Sequence, residues 1–269
     1  MKNIFLSLFL CLLCGAPLLA QTQLPGGQNY YEDDKGYVYN REFTVDLKLL
    51  QTNGFALGVN IAQLKTYYLT RFYNIEIGEI KHVREFRQSF DYFQAGTSNE
   101  VSRAFIYGKQ NNLFALRGGI GEKRYFSEKA KRRGLAVGIS YEVGPSLGIL
   151  KPYYLDLVRS ENPTGNTSIK SEKYSAENAD DFLNITRIYG GSGFGKGLSE
   201  LSVIPGGHAK FALHFDWGAF DEFVKAMEAG VMVDFYFKKV PIMVDALDNV
   251  ENSPIFVNFY INLQLGKRW

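Results

Sequence analysis

Cysteine is nearly absent from this sequence. The 269 residues include two cysteines, Cys11 and Cys14, and both lie in an apolar stretch near the amino terminus. The rest of the chain therefore has no thiol for a disulfide framework, a nucleophile or a cysteine metal site. Histidine is also scarce, with three residues in the whole chain, so neither a metal centre nor any other cofactor is predicted.

Long apolar runs are missing after the first twenty residues, so membrane-spanning helices, which need ~18 or more consecutive apolar residues, are not expected. The amino terminus has the pattern of a secretory signal, with Lys2, an apolar run and a break before Ala20. We predict a signal peptide over residues 1–20 and a polar, turn-rich periplasmic segment over residues 21–40. An uncleaved anchor and lipid attachment at Cys14 are weaker alternatives, because the apolar run is short and the residue before that cysteine is large.

An excess of charge of one sign is lacking as well. The sequence has 30 Lys and Arg against 28 Asp and Glu. This balance argues against a nucleic-acid partner, whose binding needs a concentrated basic surface. Aromatic residues make up 15% of the chain and glycine occurs 27 times, a composition typical of β-structure with tight turns and membrane-interface aromatics.

Residues 255–269 show the clearest strand pattern. Successive side chains of a strand point to opposite faces. One face is apolar, with Val257, Phe259, Ile261, Leu263, Leu265 and Trp269, and the other is polar, with Asn258, Tyr260, Asn262, Gln264, Gly266 and Arg268. This alternation over more than the ~9–11 residues of a membrane strand predicts the closing strand of an outer-membrane β-barrel. Phe259, Ile261, Leu263, Leu265 and Trp269 would then form the signal for the barrel-assembly machinery.

Similar alternation recurs along the chain and predicts an all-β fold, a closed antiparallel transmembrane β-barrel over residues 41–269. Ten strands are expected, at residues 41–49, 55–62, 67–80, 103–107, 114–121, 134–143, 147–158, 208–217, 226–237 and 255–269. The count depends on a turn at Gly144-Pro145-Ser146, because without it there are nine strands and single-chain bacterial barrels have even numbers. Eight strands is the alternative, with residues 103–107 and 147–158 the segments most apt to fail.

The ten-strand arrangement also predicts which connections lie on which side. With both termini in the periplasm, the outer connections are residues 81–102, 126–133, 159–207 and 238–254. The longest, 159–207, would be the major extracellular excursion. The remaining connections are short turns on the periplasmic side.

Side-chain volume predicts which face of the strands points outward. In a narrow barrel the lumen leaves less room per residue than the exterior. The polar face is rich in small residues such as Gly58, Gly119 and Gly138, whereas the apolar face carries Phe, Leu, Ile, Val and Trp. The apolar face should therefore contact lipid and the polar face should fill the interior. A soluble periplasmic barrel with the two faces exchanged is the alternative.

Several motifs support the same class by resemblance. They are the run from Gly144 to Leu155 (GPSLGILKPYYL), Ile80-Lys-His82, Tyr107-Gly-Lys109 and the carboxyl-terminal LQLGKRW. With these motifs the sequence resembles uncharacterised outer-membrane β-barrel proteins of Bacteroidota. The resemblance implies the compartment and the fold, and it implies no catalytic residue.

Polar residues on the inward faces form the candidate site. They are His208, Lys210, His214, Asp216, Glu142 and Arg117, together with Asp46 and Lys48. The favoured interpretation is a lumen network whose members satisfy one another's buried charges. The alternative is a general base made by His214 and Asp216, as in outer-membrane hydrolases of the omptin type.

Two further motifs are interpreted as loop features. Residues 190–196, Gly-Gly-Ser-Gly-Phe-Gly-Lys, approach the phosphate-binding pattern G-x-x-x-x-G-K-[ST], but Gly197 replaces the hydroxyl residue, so a flexible loop is favoured. Basic residues in predicted outer loops could bind anionic lipopolysaccharide, although solvated loop charge is the commoner case. These basic residues are Arg84, Arg87, Lys129, Lys131, Arg132 and Arg133.

The predicted function follows from this class. We expect a bacterial outer-membrane protein without enzymatic activity, acting as a structural component or as an accessory subunit of an envelope assembly. Its expected partners are outer-membrane lipid, possible lipopolysaccharide and envelope proteins. An omptin-like hydrolase and a narrow channel are the alternatives.

Overall fold

Thirteen strands occur in the described residues of the computed structural model, which are 39–52, 54–66, 68–89, 103–126, 135–160, 167–217, 221–247 and 250–269. They are β1 (Arg41–Leu50), β2 (Phe55–Thr66), β3 (Leu69–Ile80), β4 (Arg87–Gln88), β5 (Phe105–Ile106), β6 (Asn111–Tyr125), β7 (Leu135–Pro152), β8 (Tyr154–Ser160), β9 (Thr167–Lys173), β10 (Ile188–Gly191), β11 (Ser202–Trp217), β12 (Phe223–Tyr236) and β13 (Ile255–Arg268). One α-helical turn, α1 (Ala179–Phe182), and two 3₁₀ turns (Ala176–Asn178 and Ile185–Arg187) lie between β9 and β10. The predicted signal peptide, nearly all of the predicted periplasmic segment and both cysteines lie outside the described residues.

Eight of these strands close into an antiparallel barrel. Each strand pairs with its neighbours in the order β1-β2-β3-β6-β7-β11-β12-β13, and β13 returns to β1. The closing pair is continuous, with Val45 opposite Leu265 and Leu49 opposite Ile261. The predicted closed antiparallel barrel is therefore confirmed, the ten-strand count is wrong, and eight strands, the alternative, is the observed number.

The two segments named as weakest account for the difference. In residues 103–107 only Phe105–Ile106 forms a strand, and it pairs with Arg87–Gln88 in a separate two-stranded sheet. Residues 144–146 are not a turn, since β7 continues through them and Pro145 lies opposite Gly207 of β11. A Cβ atom on Gly144 would overlap the carbonyl oxygen of Gly118, so this glycine permits close contact between β6 and β7.

The strand count also decides on which side the connections lie. We call the end of the barrel that holds Arg41 and Arg268 the terminal end, and the opposite end the loop end. β6 ends and β7 begins at the terminal end, where the backbone N–H of Tyr125 donates to the carbonyl of Tyr68. The predicted outer position of 126–133 depended on the ten-strand count, and residues 127–133, including the basic residues Lys129, Lys131, Arg132 and Arg133, lie outside the described residues.

The faces of the barrel strands are as predicted. On β13 the outward side chains of Phe259 and Ile261 are 60% and 51% exposed, whereas the inward Asn262 is completely buried. The same alternation holds on β1, where every second residue from Glu42 to Leu50 is buried. Apolar side chains therefore cover the exterior, and polar ones fill the lumen except near the loop end, where inward residues such as Leu50 and Ile80 are apolar.

The excursion between β7 and β11 folds into a cap at the loop end. β11 begins at Ser202 instead of His208, so this excursion spans residues 153–201 and not 159–207. Its strands β8, β9 and β10 form a three-stranded sheet in the order β10-β8-β9. The cap has its own apolar core, formed by Phe105, Leu155, Leu157, Phe182 and Ile188. No helix among the described residues is long and apolar enough to cross a membrane.

Candidate functional site

The inward side chains of the barrel strands form one polar network. It contains the carboxylates Glu42, Asp46, Glu76, Glu142, Asp216, Glu228 and Asp234, the cations Lys48, Arg117, Lys123, Lys210 and Arg268, and the histidines His208 and His214. All of these residues are buried, so each charge needs a partner, because an unpaired charge in such an environment is very costly. Charges of opposite sign are interleaved, and the lumen is therefore not a path lined by charge of one sign.

Glu76 of β3 is the centre of this network. Its carboxylate accepts from Arg117 Nη1 at 2.7 Å and from Lys210 Nζ at 2.9 Å, and Lys48 Nζ binds the same group. Three strands, β1, β6 and β11, therefore converge on β3 across the lumen. A carboxylate can accept several hydrogen bonds at once, which makes it suited to join cations from different walls.

Arg117 of β6 connects Glu76 to the opposite wall. Its guanidinium binds Asp234 of β12 with two hydrogen bonds, Nε to Oδ1 at 2.6 Å and Nη2 to Oδ2 at 2.9 Å. Such a fork is stronger and more directional than a single contact. The side chain of Arg117 therefore spans the lumen and occupies it.

Glu142 of β7 joins two further predicted site residues to the network. It accepts from Lys210 Nζ at 3.1 Å and contacts His208 Nε2 at 2.9 Å. The structure therefore brings His208, Lys210 and Glu142 together, as the lumen-network interpretation expects.

Asp46 of β1 accepts hydrogen bonds from three side-chain amides on two strands, β2 and β13. It accepts from Asn60 at 2.7 Å, Asn262 at 2.9 Å and Gln264 at 3.1 Å. Gln264 also accepts from Lys123 Nζ at 3.0 Å. This group extends the network to the strand that closes the barrel.

His214 does not pair with Asp216 as the hydrolase alternative requires. Its Nδ1 atom lies 3.0 Å from Glu228 Oε1, and its Nε2 atom lies 3.3 Å from the hydroxyl of Tyr125. Asp216 instead binds Arg268 and accepts from Tyr125 at 3.4 Å. His214 is 1% exposed. The predicted His214–Asp216 pair is thus replaced by His214–Glu228, in a place that a substrate cannot reach.

The terminal end of the lumen is closed by Arg268. Its Nε donates to Glu42 Oε2 at 2.9 Å, its Nη2 binds Asp216, and its guanidinium lies 4.7 Å from the ring centroid of Tyr39. Burial raises the pKa of the Tyr39 phenol, which keeps its hydroxyl neutral. Cation and ring together fill the opening between β1, β11 and β13.

The loop end is closed by an apolar plug, which we define as residues 240–244 of the connection between β12 and β13. Val240, Ile242 and Met243 pack on inward residues of the barrel wall, namely Ile80, Leu113, Leu150, Ile204 and Tyr236. The side chain of Asn252 fixes the plug by accepting from the N–H groups of Ile242 and Met243 and donating to the carbonyl of Met243. The lumen is therefore blocked by apolar contacts at the loop end and by charged side chains in its middle and at its terminal end.

Ion pairs also stabilise the cap. Arg159 of β8 binds Glu172 of β9 with two hydrogen bonds, at 3.0 and 2.6 Å, and it also contacts Asp181. These hydrogen bonds from Arg159 are the main reason that the pKa of Glu172 lies below its ordinary value. A second pair, Lys109 with Glu85 at 2.6 Å, is almost fully buried beside the plug.

Several members of the network were not predicted. Glu76, Asp234, Glu228 and Lys123 are buried in the lumen, although the sequence analysis did not single them out as site residues. Each lies on the polar face of a strand with the correct alternation, so the pattern contained the signal. What the pattern could not supply was their pairing, since the partners lie on strands far apart in the chain.

The predicted carboxyl-terminal signal residues lie together on the exterior. Phe259, Ile261, Leu263, Leu265 and Trp269 are all exposed and follow one face of the closing strand. The backbone at the end of this strand is paired with β1, since Trp269 N–H donates to the carbonyl of Arg41.

Comparisons with known proteins give distant likenesses only. No protein-family model matches the sequence, and no curated protein matches it. Among solved structures, the chain is similar to the N-terminal β-barrel domain of Pseudomonas aeruginosa OprF, with 9% identity and a TM-score of 0.34 over 86% of this chain and 98% of that one. It is also similar to Ail, the attachment invasion locus protein of Yersinia pestis, with 8% identity and a TM-score of 0.35 over 86% and 95% of the two chains.

A third likeness is to a major outer membrane protein from Thermus thermophilus. The identity is 10% and the TM-score 0.36, over 85% of this chain and 99% of that one. At such low values these likenesses carry no argument about what this protein does. Its function has to be argued from its own strands and side chains.

Proposed function

We propose that this protein is an integral barrel of the bacterial outer membrane. The support is its own surface: a closed eight-stranded barrel with an apolar exterior and a charged interior. Closure satisfies every strand edge, as lipid demands, and an exterior of exposed Leu, Ile, Val and Phe is unfavourable in water. A secretory signal at residues 1–20 and an origin in Bacteroidota belong to the same proposal.

Within that membrane we propose a structural role, or a role as an accessory subunit of an envelope assembly, without enzymatic activity. The observation that carries this proposal is the filled lumen. The side chains of Arg117, Glu76 and Arg268 occupy its middle and its terminal end, and the plug occupies its loop end. Solute passage would require the buried ion pairs to separate, at a cost of several kcal/mol for each broken pair.

Membrane fractionation and planar-bilayer conductance test the two halves of this proposal separately. The protein should remain with the outer membrane after cells are broken, and the purified barrel should give no conductance steps. Recovery in the aqueous fraction would remove the membrane proposal. Stable single-channel conductance would instead favour the narrow channel.

The accessory role is tested by purification from outer membranes in a gentle detergent. A defined envelope protein should co-purify in constant ratio, and it should be lost when residues 154–200 of the cap are replaced by a short Gly-Ser turn. Recovery of the intact protein only as a lone monomer would leave the structural role in place and discard the accessory one. Assembly through the β13 signal predicts that Trp269→Ala lowers the amount of folded barrel in the membrane.

Lipopolysaccharide remains a proposed ligand of the loop end. Arg84 and Arg87 are exposed between β3 and β5, at the loop end, which this proposal assigns to the outer side of the membrane. Lys129, Lys131, Arg132 and Arg133 lie outside the described residues and are not part of this proposal. Binding of lipopolysaccharide that is unchanged in Arg84→Gln with Arg87→Gln would remove these two residues from the site.

A further inference from the structure

The glycine-rich residues 192–201, which we call the Phe194 loop, have a defined conformation. Lys196 donates to Ser171 of β9, and the carboxylate of Glu200 accepts from Tyr154 Oη at 2.8 Å and from Lys173 Nζ at 2.6 Å. At Gly197 the backbone has φ of +82°, and an added Cβ atom would lie 2.8 Å from the carbonyl oxygen of Pro152. The loop is thus fixed against the rest of the cap and the end of β7.

This fixed loop presents apolar side chains to its surroundings. Phe194 is 68% exposed, Leu198 is 51% exposed and Leu201 is 47% exposed. Polar contacts hold the backbone in the conformation that displays them, so their exposure is a property of the fold. A cluster of large apolar side chains on a fixed surface indicates a contact with something apolar.

The position of the loop identifies that contact. The Phe194 ring packs edge-on against Phe114, which faces outward from β6, with 6.3 Å between ring centroids. At the other end of the loop, Leu201 leads directly into β11, where Val203 is exposed on the exterior. At both places the exposed apolar side chains of the loop therefore adjoin the apolar exterior of the barrel.

A cation contacts the ring of Phe194. Lys151 Nζ lies 4.3 Å from the ring centroid of Phe194. Lys151 is 3% exposed, so this cation–π contact holds the ring in place while the ammonium group stays covered. The surface next to the barrel exterior therefore presents an aromatic ring and not the charge, which favours a lipid surface as the occupant.

We propose that the Phe194 loop is an interfacial anchor that lies in the outer leaflet of the membrane, with Phe194, Leu198 and Leu201 among the lipid acyl chains. This inference rests on the proposed membrane location. It also gives residues 190–196 a role other than phosphate binding. β10 ends at Gly191, the second residue of the motif, and turns and β11 follow with no helix, so the glycines shape a loop that displays Phe194.

The test uses single cysteines carrying a polarity-sensitive fluorophore, because the chain has no cysteine after position 14. The chain without its predicted signal peptide, residues 21–269, is reconstituted in phospholipid vesicles containing a lipid with a nitroxide near the headgroup. Phe194→Cys and Leu198→Cys carry the test label. Val257→Cys on the exterior of β13 is the lipid control, and Ile185→Cys, exposed on the cap, is the water control.

The labels at positions 194 and 198 should lose most of their emission to the lipid nitroxide and show a blue shift, as the label at 257 does. The label at 185 should instead respond only to a water-soluble quencher. If the 194 and 198 labels behave like the one at 185 while 257 reports lipid, the anchor is refuted and the membrane barrel stands. If the 257 label also reports water, the proposed membrane location itself fails.

Discussion

Replacing Arg117 by methionine tests whether the lumen is held by its buried charges. The arginine is 1% exposed and makes three hydrogen bonds, two to Asp234 and one to Glu76. Methionine keeps much of the volume and the flexibility of the side chain but removes the charge and all five donors. The change therefore separates the ionic contribution from simple packing.

The expected loss can be worked out from the partners that remain. Glu76 keeps Lys48 and Lys210, so it stays neutralised. Asp234 has no other side-chain partner among the described residues, and it becomes a buried carboxylate without a cation. Breaking a buried pair by removing one partner typically costs ~3–5 kcal/mol, and we expect Arg117→Met to lose that much free energy of unfolding.

The assay is reversible urea unfolding of the barrel in lipid vesicles, followed by tryptophan fluorescence and by the gel mobility of the folded form. Arg71→Met is the matched control, because the Arg71 side chain faces outward from β3, is 46% exposed and pairs with Glu122. This substitution should cost ~1 kcal/mol of unfolding free energy at most. Adding Asp234→Asn to Arg117→Met should recover part of the loss, with a coupling of ~1–3 kcal/mol. A loss equal to that of the control, or purely additive effects, would refute the reasoning.

Three further results are expected. Gly266→Val should prevent the barrel from closing, because a Cβ atom there would overlap a backbone carbonyl oxygen of β1. The control Gly193→Val should fold normally, because a Cβ atom at that position would have nothing within 4 Å. The gel mobility of the folded form measures both outcomes. Asn252→Ala should lower the free energy of unfolding by ~2 kcal/mol, since two buried N–H groups of the plug lose their acceptor; an unchanged urea midpoint would contradict this. Because Arg159 lowers the pKa of Glu172, that pair stabilises the cap at neutral pH and the stabilisation is lost as the pH falls through the lowered pKa. Amide exchange in β8 and β9 should therefore rise on acidification in the wild type but change less in Glu172→Gln.

The division of residues between lumen and exterior could be predicted because it depends on local periodicity alone. A strand has two faces, and a barrel in lipid gives those faces two different environments. The side chains of β13 alternate without error from Val257 to Leu265. The same rule placed His208, Lys210 and Glu142 in the lumen, where they meet.

Pairing inside the lumen could not be predicted, because it depends on register between strands. His214 and Asp216 share a face but lie two residues apart, a backbone separation of ~6.6 Å along the strand, whereas residues directly opposite on paired strands are closer. Glu228 lies directly opposite His214 in the register of β11 with β12, so its carboxylate is the nearer partner. Strand neighbours therefore decide the chemistry of this histidine more than residues near it in the sequence do.

The ten-strand count was wrong for a related reason. Alternation of polar and apolar residues indicates that the two faces of a strand have different environments, but it does not identify those environments. In β8 the side chains of Leu155 and Leu157 alternate with polar ones, as they would in a membrane strand, but they pack in the core of the cap. Length separates the two cases, because β8 has seven residues and a membrane strand needs ~9–11. The predicted strand 147–158 reached the length of a membrane strand because it combined the end of β7 with most of β8. The Gly144-Pro145 pair, interpreted as a turn, then separated it from the strand before it. The rule that barrels have an even number of strands could not reveal this error, because eight and ten are both even. The pairing of β7 with β11 through Pro145 decides between the two counts.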